Sequence, residues 1–153
     1  MTFSKTIVGG TFDHFHKGHE AILETACDLS GSIIVGITGD EFAEKFRTGQ
    51  IEPFQIRKQK VEKFLDSLGT RYSIVEINDF YGPSTTEKGL DAIVVSEETS
   101  LRAKEINAVR VKKGLKKMSI VEVPYVLAED GKPISSERIR RGEIDEEGKK
   151  RSR

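Results

Sequence analysis

Lys5-Thr6-Ile7-Val8-Gly9-Gly10-Thr11-Phe12-Asp13-His14-Phe15-His16-Lys17-Gly18-His19 is the stretch that decides the fold. A short β-branched run stops at a glycine pair. A helical pattern follows at once, with Ala21, Ile22, Ala26 and Leu29 at helical spacing from Gly18 to Ser30. The reading is strand, loop, helix. Two glycines let a backbone turn sharply and come close to a ligand, and a helix start offers unpaired N–H groups and a positive dipole end to an anion. The stretch therefore has the make-up of a phosphate site, and it holds all three histidines of the chain.

Outward from it, the alternation continues. Ser32 to Ile37 is continuously apolar, as in a strand buried on both faces of a parallel sheet. Asp40 is placed to cap a short helix through Lys45, after which Arg47-Thr48-Gly49-Gln50 reads as loop. Pro53 opens a second helix, whose face is traced by Ile56, Val61, Phe64, Leu65 and Leu68 until Gly69 stops it. Tyr72 to Ile77 is strand-like, and Asn78 to Lys88 is a loop with room for one helical turn. Asp91 to Val95 is a further buried strand, Leu101 to Gly114 a helix, and Ser119 to Val123 a strand that Pro124 ends or marks as an edge. Ser135 is an N-cap candidate for a last helix, which closes with Arg140 and Arg141 before Gly142. The expected architecture is α/β: a Rossmann-like, doubly wound, parallel five-stranded sheet in one domain over residues 1–153, with a solvated tail from about residue 147.

Composition narrows the function classes. At 153 residues the chain is long enough to bury a core unaided. Twenty-five Lys and Arg offset twenty-five Asp and Glu, so net charge gives no reason to expect nucleic acid or a membrane surface as partner. No apolar run approaches the roughly 18 residues of a membrane span, and the start of the chain has no signal-peptide core, so a cytoplasmic location is expected. Cys27 is the only cysteine, which excludes an intrachain disulfide or a CxxC metal site.

There is no GxxxxGK[ST], and the glycine pair lacks GxGxxG spacing, so P-loop and dinucleotide readings lose their support. Thr11 stands at the strand end, and Gly18 lets the backbone pass close to a bound group. His16 and His19, three apart at a helix start, can face one side, where imidazole N–H groups donate to phosphate oxygens. Read as metal ligands, the histidines lack a carboxylate or cysteine in a ligand pattern to complete the set. His14 reads as a surface bystander.

Gly10-Thr11-Phe12-Asp13 with His16-Lys17-Gly18-His19, together with Ile134-Ser135-Ser136-Glu137-Arg138-Ile139-Arg140, resembles the HxGH nucleotidyltransferase superfamily, the later segment corresponding to its ISSTxxR motif. The closest resemblance spans nearly the whole chain and is to the archaeal phosphopantetheine adenylyltransferases. Asp91 to Thr99 looks like that family's own segment, where related cytidylyltransferases and FAD synthetases tend to carry glycine-tyrosine-aspartate. The resemblance implies adenylyl transfer from ATP to 4′-phosphopantetheine, with magnesium carried mainly by the phosphates. Glycerol-phosphate, FMN or NMN transferases and a non-catalytic nucleotide-binding protein are the alternatives.

It further implies Gly10, Thr11, Phe12, His16, His19, Glu98, Ser135, Ser136 and Arg140 as ATP-binding residues. Thr11 and Lys45 would hold the acceptor, and His16, His19 and Lys45 would form the catalytic group, Arg47 being a neighbouring alternative to Lys45. Glu137 replaces the motif's threonine, adding a negative charge near phosphates. A monomer or small homo-oligomer is expected.

Overall fold

The computed structural model describes residues 2–47 and 49–152; Thr48, within the loop read from the sequence, lies outside the described residues. Five strands, β1 (Phe3–Gly10), β2 (Ser30–Thr38), β3 (Arg71–Ile77), β4 (Ala92–Ser96) and β5 (Ser119–Val123), form one sheet in the order β3-β2-β1-β4-β5. Every pairing is parallel, with Val8 beside Val35, Val35 beside Ile74 and Ile93 beside Ile120. The helices are α1 (Lys17–Leu29), α2 (Asp40–Phe46), α3 (Phe54–Leu68), α4 (Ser100–Lys112) and α5 (Ser136–Arg140), with a 3-10 turn at Gly82–Thr85.

The continuous apolar runs have a simple explanation. Successive strand residues point to opposite faces, and both faces are covered. Val8, Ile33, Val35 and Ile37 pack with Leu23 and Ala26 of α1 and Val61 and Leu65 of α3. Their neighbours Ile7, Ile34 and Ile93 pack on the other side with Ala103 and Ile106 of α4. The chain leaves β1 toward β2 and returns to place β4 on β1's other flank. The carboxyl ends of β1 and β4 thus diverge at a switch point, where open α/β sheets bind ligands.

Several local expectations are altered. Gly9 and Gly10 stay in β1 with ordinary backbone angles, and the left-handed positions fall on Phe12 (φ 56°) and His14 (φ 46°). Gly10 instead leaves room for the Phe12 ring, 3.2 Å from where a Cβ would stand. Asp40 is the first residue of α2, not its cap. Its carboxylate accepts from the N–H of Phe54 at 2.9 Å, across the loop at the start of α3. On α3 the buried line is Arg57, Val61 and Leu65, while Ile56 and Leu68 are exposed.

The backbone after Gly142 folds back on the body, while the side chains of Glu147 and of residues 149–152 stay exposed. Gly148 O accepts from Glu129 N, Ile144 bridges Lys150, and Ile144 is fully buried. The carbonyl of Glu146 accepts from Lys17 N, one of the orphan donors at the start of α1.

Candidate active site

A cavity of about 510 Å³ opens over the ends of β1 and β4. Its floor is the turn from Gly10 to Gly18, one end is formed by Ser135, Ser136 and Arg140, and the other wall by Val95, Glu98, Val123 and Tyr125. The structure thus brings together Gly10, Thr11, Phe12, His16, His19, Glu98, Ser135, Ser136 and Arg140, from segments far apart in sequence. Lys45 is not among them: it stands exposed on α2, and its neighbour Arg47 takes the wall.

His16 is the N-cap of α1. Its Nδ1 accepts from Gly18 N at 3.0 Å, and the Nδ1 of His19 accepts from His16 N at 3.1 Å, a reciprocal capping box built from two imidazoles. The close approach demands Gly18, since a Cβ there would lie 2.8 Å from the His16 ring. Because each Nδ1 is an acceptor, the neutral tautomer of each ring carries its proton on Nε2. The rings stack with centroids 3.7 Å apart, and His19 also packs against Phe12 and Phe15.

Burial, with His14 nearby, pushes the His16 imidazole down to about 4 despite the opposing Asp13. Burial, then His16 and Arg47, hold His19 well below its ordinary value. Both are neutral Nε2–H donors at pH 7. Burial thus decides between imidazole and imidazolium in favour of the former.

The remaining donors are arranged around them. Thr38 Oγ1 donates to Thr11 Oγ1 at 3.1 Å, leaving the Thr11 hydroxyl proton free for a ligand. Ser135 caps α5 by accepting from Arg138 N, so its own proton is also available. Ser136 donates its hydroxyl proton to the carbonyl of Asp13 and therefore offers a ligand its backbone N–H. Arg140 Nη1 donates to the buried carboxylate of Asp13, fastening the two motifs together. Glu137 also lines the cavity beside Ser136, and its added charge is paired at 2.7 Å with the exposed Arg141.

At the opposite end apolar side chains of Val94, Val95, Val123 and Val126 alternate with the polar groups of Ser96, Glu98, Thr99 and Tyr125. Burial, followed by Glu98 and Glu97, raises the Tyr125 phenol. The Thr99 hydroxyl accepts from Ser96 N and makes no side-chain cap on α4.

Asp13, Glu52 and Arg57 were given no role from the sequence, yet they hold the floor. Arg57 is fully buried and donates to the carbonyls of Thr11 at 2.9 Å, Thr38 at 2.7 Å and Glu52 at 2.8 Å. A signal was present: Arg57 falls in line with Val61 and Leu65 at intervals of four, a charge on an apolar stripe that needs buried acceptors.

Among known proteins, the family model described as cytidylyltransferase-like matches residues 7–142. A phosphopantetheine adenylyltransferase of Methanothermobacter thermautotrophicus is 44% identical over 95% of this chain and 88% of its own. That of Methanopyrus kandleri is 43% identical over 94% and 92%. A crystal structure of a protein of unknown function from Archaeoglobus fulgidus superposes with a TM-score of 0.71 at 34% identity, covering 78% of this chain and 88% of that one.

Proposed function

The chain belongs to the cytidylyltransferase-like family, and we infer that it transfers the adenylyl group of ATP to 4′-phosphopantetheine, yielding dephospho-coenzyme A and pyrophosphate. The observation that carries the acceptor is the 44% and 43% identity, over nearly the whole chain, to two archaeal phosphopantetheine adenylyltransferases. The cleft's chemistry supports the reaction type, because it is rich in fixed donors and presents no strong base.

An oxygen of the acceptor phosphate attacks the α-phosphorus of ATP. The bond from that phosphorus to the bridging oxygen breaks, and pyrophosphate leaves with the electron pair. The nucleophile is already an anion, so the rate comes from positioning and from neutralising charge. Thr11 Oγ1–H holds the acceptor phosphate. The Nε2–H groups of His16 and His19 donate to the α-phosphate, where charge grows, and Ser135, the N–H of Ser136 and Arg140 take the β- and γ-phosphates. Neutral imidazoles suit this task, since they donate without surrendering a proton.

Arg47 is the cation already on the wall; Lys45 bridges the two phosphates only if α2 leans inward. Adenine lies against the valines at the opposite end, with its 6-amino group toward Glu98. Magnesium arriving with ATP would offset the charge of the triphosphate and would be held chiefly by its phosphates and water. Among the described residues no group of three or more His, Cys, Asp or Glu stands together that could hold a metal ion.

Among the described residues no helix is long and apolar enough to cross a membrane, and we place the enzyme in the cytoplasm with its ATP. We further propose a monomer or small homo-oligomer. Pyrophosphate release is the test. ATP with phosphopantetheine should support turnover, whereas CTP with glycerol phosphate, or ATP with FMN or NMN, should not; the reverse pattern would overturn the acceptor assignment.

A further inference from the structure

Phe12 and His14 are the two non-glycine residues with left-handed backbone among the described residues, and each such position costs about 1 kcal/mol or more. They flank Asp13 in the turn that carries Thr11 into the cleft, so something must hold that turn. Glu52, in the loop between α2 and α3, makes two bonds to that turn and two to α3. Its carboxylate accepts from His14 N at 2.9 Å (Oε1) and from Lys60 Nζ at 2.6 Å (Oε2). Its own N–H donates to Asp13 Oδ1 at 2.8 Å, and its carbonyl accepts from Arg57. The other carboxylate oxygen of Asp13 holds Arg140.

We propose that Glu52 is a positioning residue for adenylyl transfer: by accepting from His14 N and donating to Asp13 it locks the strained Phe12–His14 turn, and so sets Thr11 on one side and Arg140 on the other. Glu52 itself is absent from the lining of the main cavity and acts only through these neighbours. The arrangement makes the α2–α3 loop part of the machinery, although none of the described residues of the loop beyond Arg47 lines that cavity. Lys60 pairs with the carboxylate from solvent and plays no part in the turn itself.

The inference rests on the adenylyl-transfer reading, and its test separates the two. Wild-type turnover with ATP and phosphopantetheine checks the reading. ATP affinity, measured by calorimetry without acceptor, checks the turn through Arg140 and needs no turnover. Glu52→Ala should lower kcat by about tenfold or more and weaken ATP binding several-fold. Glu52→Gln keeps a carbonyl oxygen for His14 N, and Lys60→Ala removes only the outer pair; both should stay within about twofold of wild type.

Glu52→Asp keeps the charge but withdraws the oxygen by one methylene. It should lose activity like the alanine variant, and it serves where that variant does not fold. All rates are taken per folded molecule, scaled by circular dichroism. Wild-type kcat and ATP affinity in Glu52→Ala or Glu52→Asp would overturn the proposal. Equal losses in Glu52→Gln and Lys60→Ala would also overturn it, because they would locate the effect in the ion pair and not in the turn.

Discussion

His19 shows most directly how one side chain is prepared by its surroundings. Its Nδ1 is spent on the backbone of His16, its ring is clasped by Phe12 and Phe15, and its Nε2–H is left for the ligand. His19→Ala should therefore cut kcat by well over tenfold while circular dichroism stays unchanged, in line with loss of a transition-state contact. His16 gives a pH prediction with a definite sign. In the unfolded chain it titrates near the ordinary value of 6.5, and in the folded chain at about 4. Between those values the unfolded state binds more protons, so its stabilisation is complete above about pH 6.5 and is lost as pH falls through 4. His19, shifted the same way, adds to the trend. Calorimetric melting temperatures should fall on acidification below about pH 6, and the His16 ring resonances in NMR should stay unmoved from pH 8 to 6. A titration near 6.5 would remove the neutral-donor account. The two cations near α2 divide the same way: Arg47→Ala should reduce kcat/KM for the acceptor more than Lys45→Ala, and the opposite order in steady-state kinetics would mean that α2 closes.

Among the elements, the five strands and the helices between them were legible because their signals are local. Apolar runs of strand length, a glycine pair, Gly69 after α3 and a serine before α5 each report on their own few residues. What stayed hidden depends on partners remote in sequence. Asp13 finds Arg140, Glu52 reaches back to His14, and Arg57 gathers carbonyls from β1 and β2, contacts that spacing cannot reveal. The left-handed turn was misplaced for the same reason, since its strain is offset by bonds from another loop rather than by glycine. The tail's lysines and arginines face solvent as their composition suggests, but its backbone is folded back through Gly148 at φ 84°, which composition does not report. A Cβ on Gly148 would lie 2.8 Å from Ile134 and 3.0 Å from Ala128, just before the serines of α5. Gly148→Ala should cost about 1–3 kcal/mol, read by calorimetry as a melting point lowered by about 3 to 10 °C. An unchanged melting point would mean that Gly148 is not packed against Ile134 and Ala128.

At the scale of the molecule, the ligand site is assembled from the two ends of the chain. The turn after β1 and the helix α5 meet over the switch point of the sheet, joined by Arg140 with Asp13 and by Ser136 with the Asp13 carbonyl. A triphosphate spanning His16 to Arg140 would tie these ends further. Unfolding would then have to release the nucleotide, so ATP should stabilise the whole fold and not only the cleft. At about one hundred times its dissociation constant a ligand adds about 2.7 kcal/mol, which for a chain of this size is a rise of about 5 to 10 °C in melting temperature. Magnesium-ATP should give that shift, phosphopantetheine should add to it, and Arg140→Ala should shrink the nucleotide's share at a fixed concentration by loosening one end of the span. Thermal melting over a nucleotide series decides the matter. A shift from CTP that matches or exceeds that from ATP would reject adenine at the Glu98 end, and an undiminished ATP shift in Arg140→Ala would show that the triphosphate is held by the first turn alone.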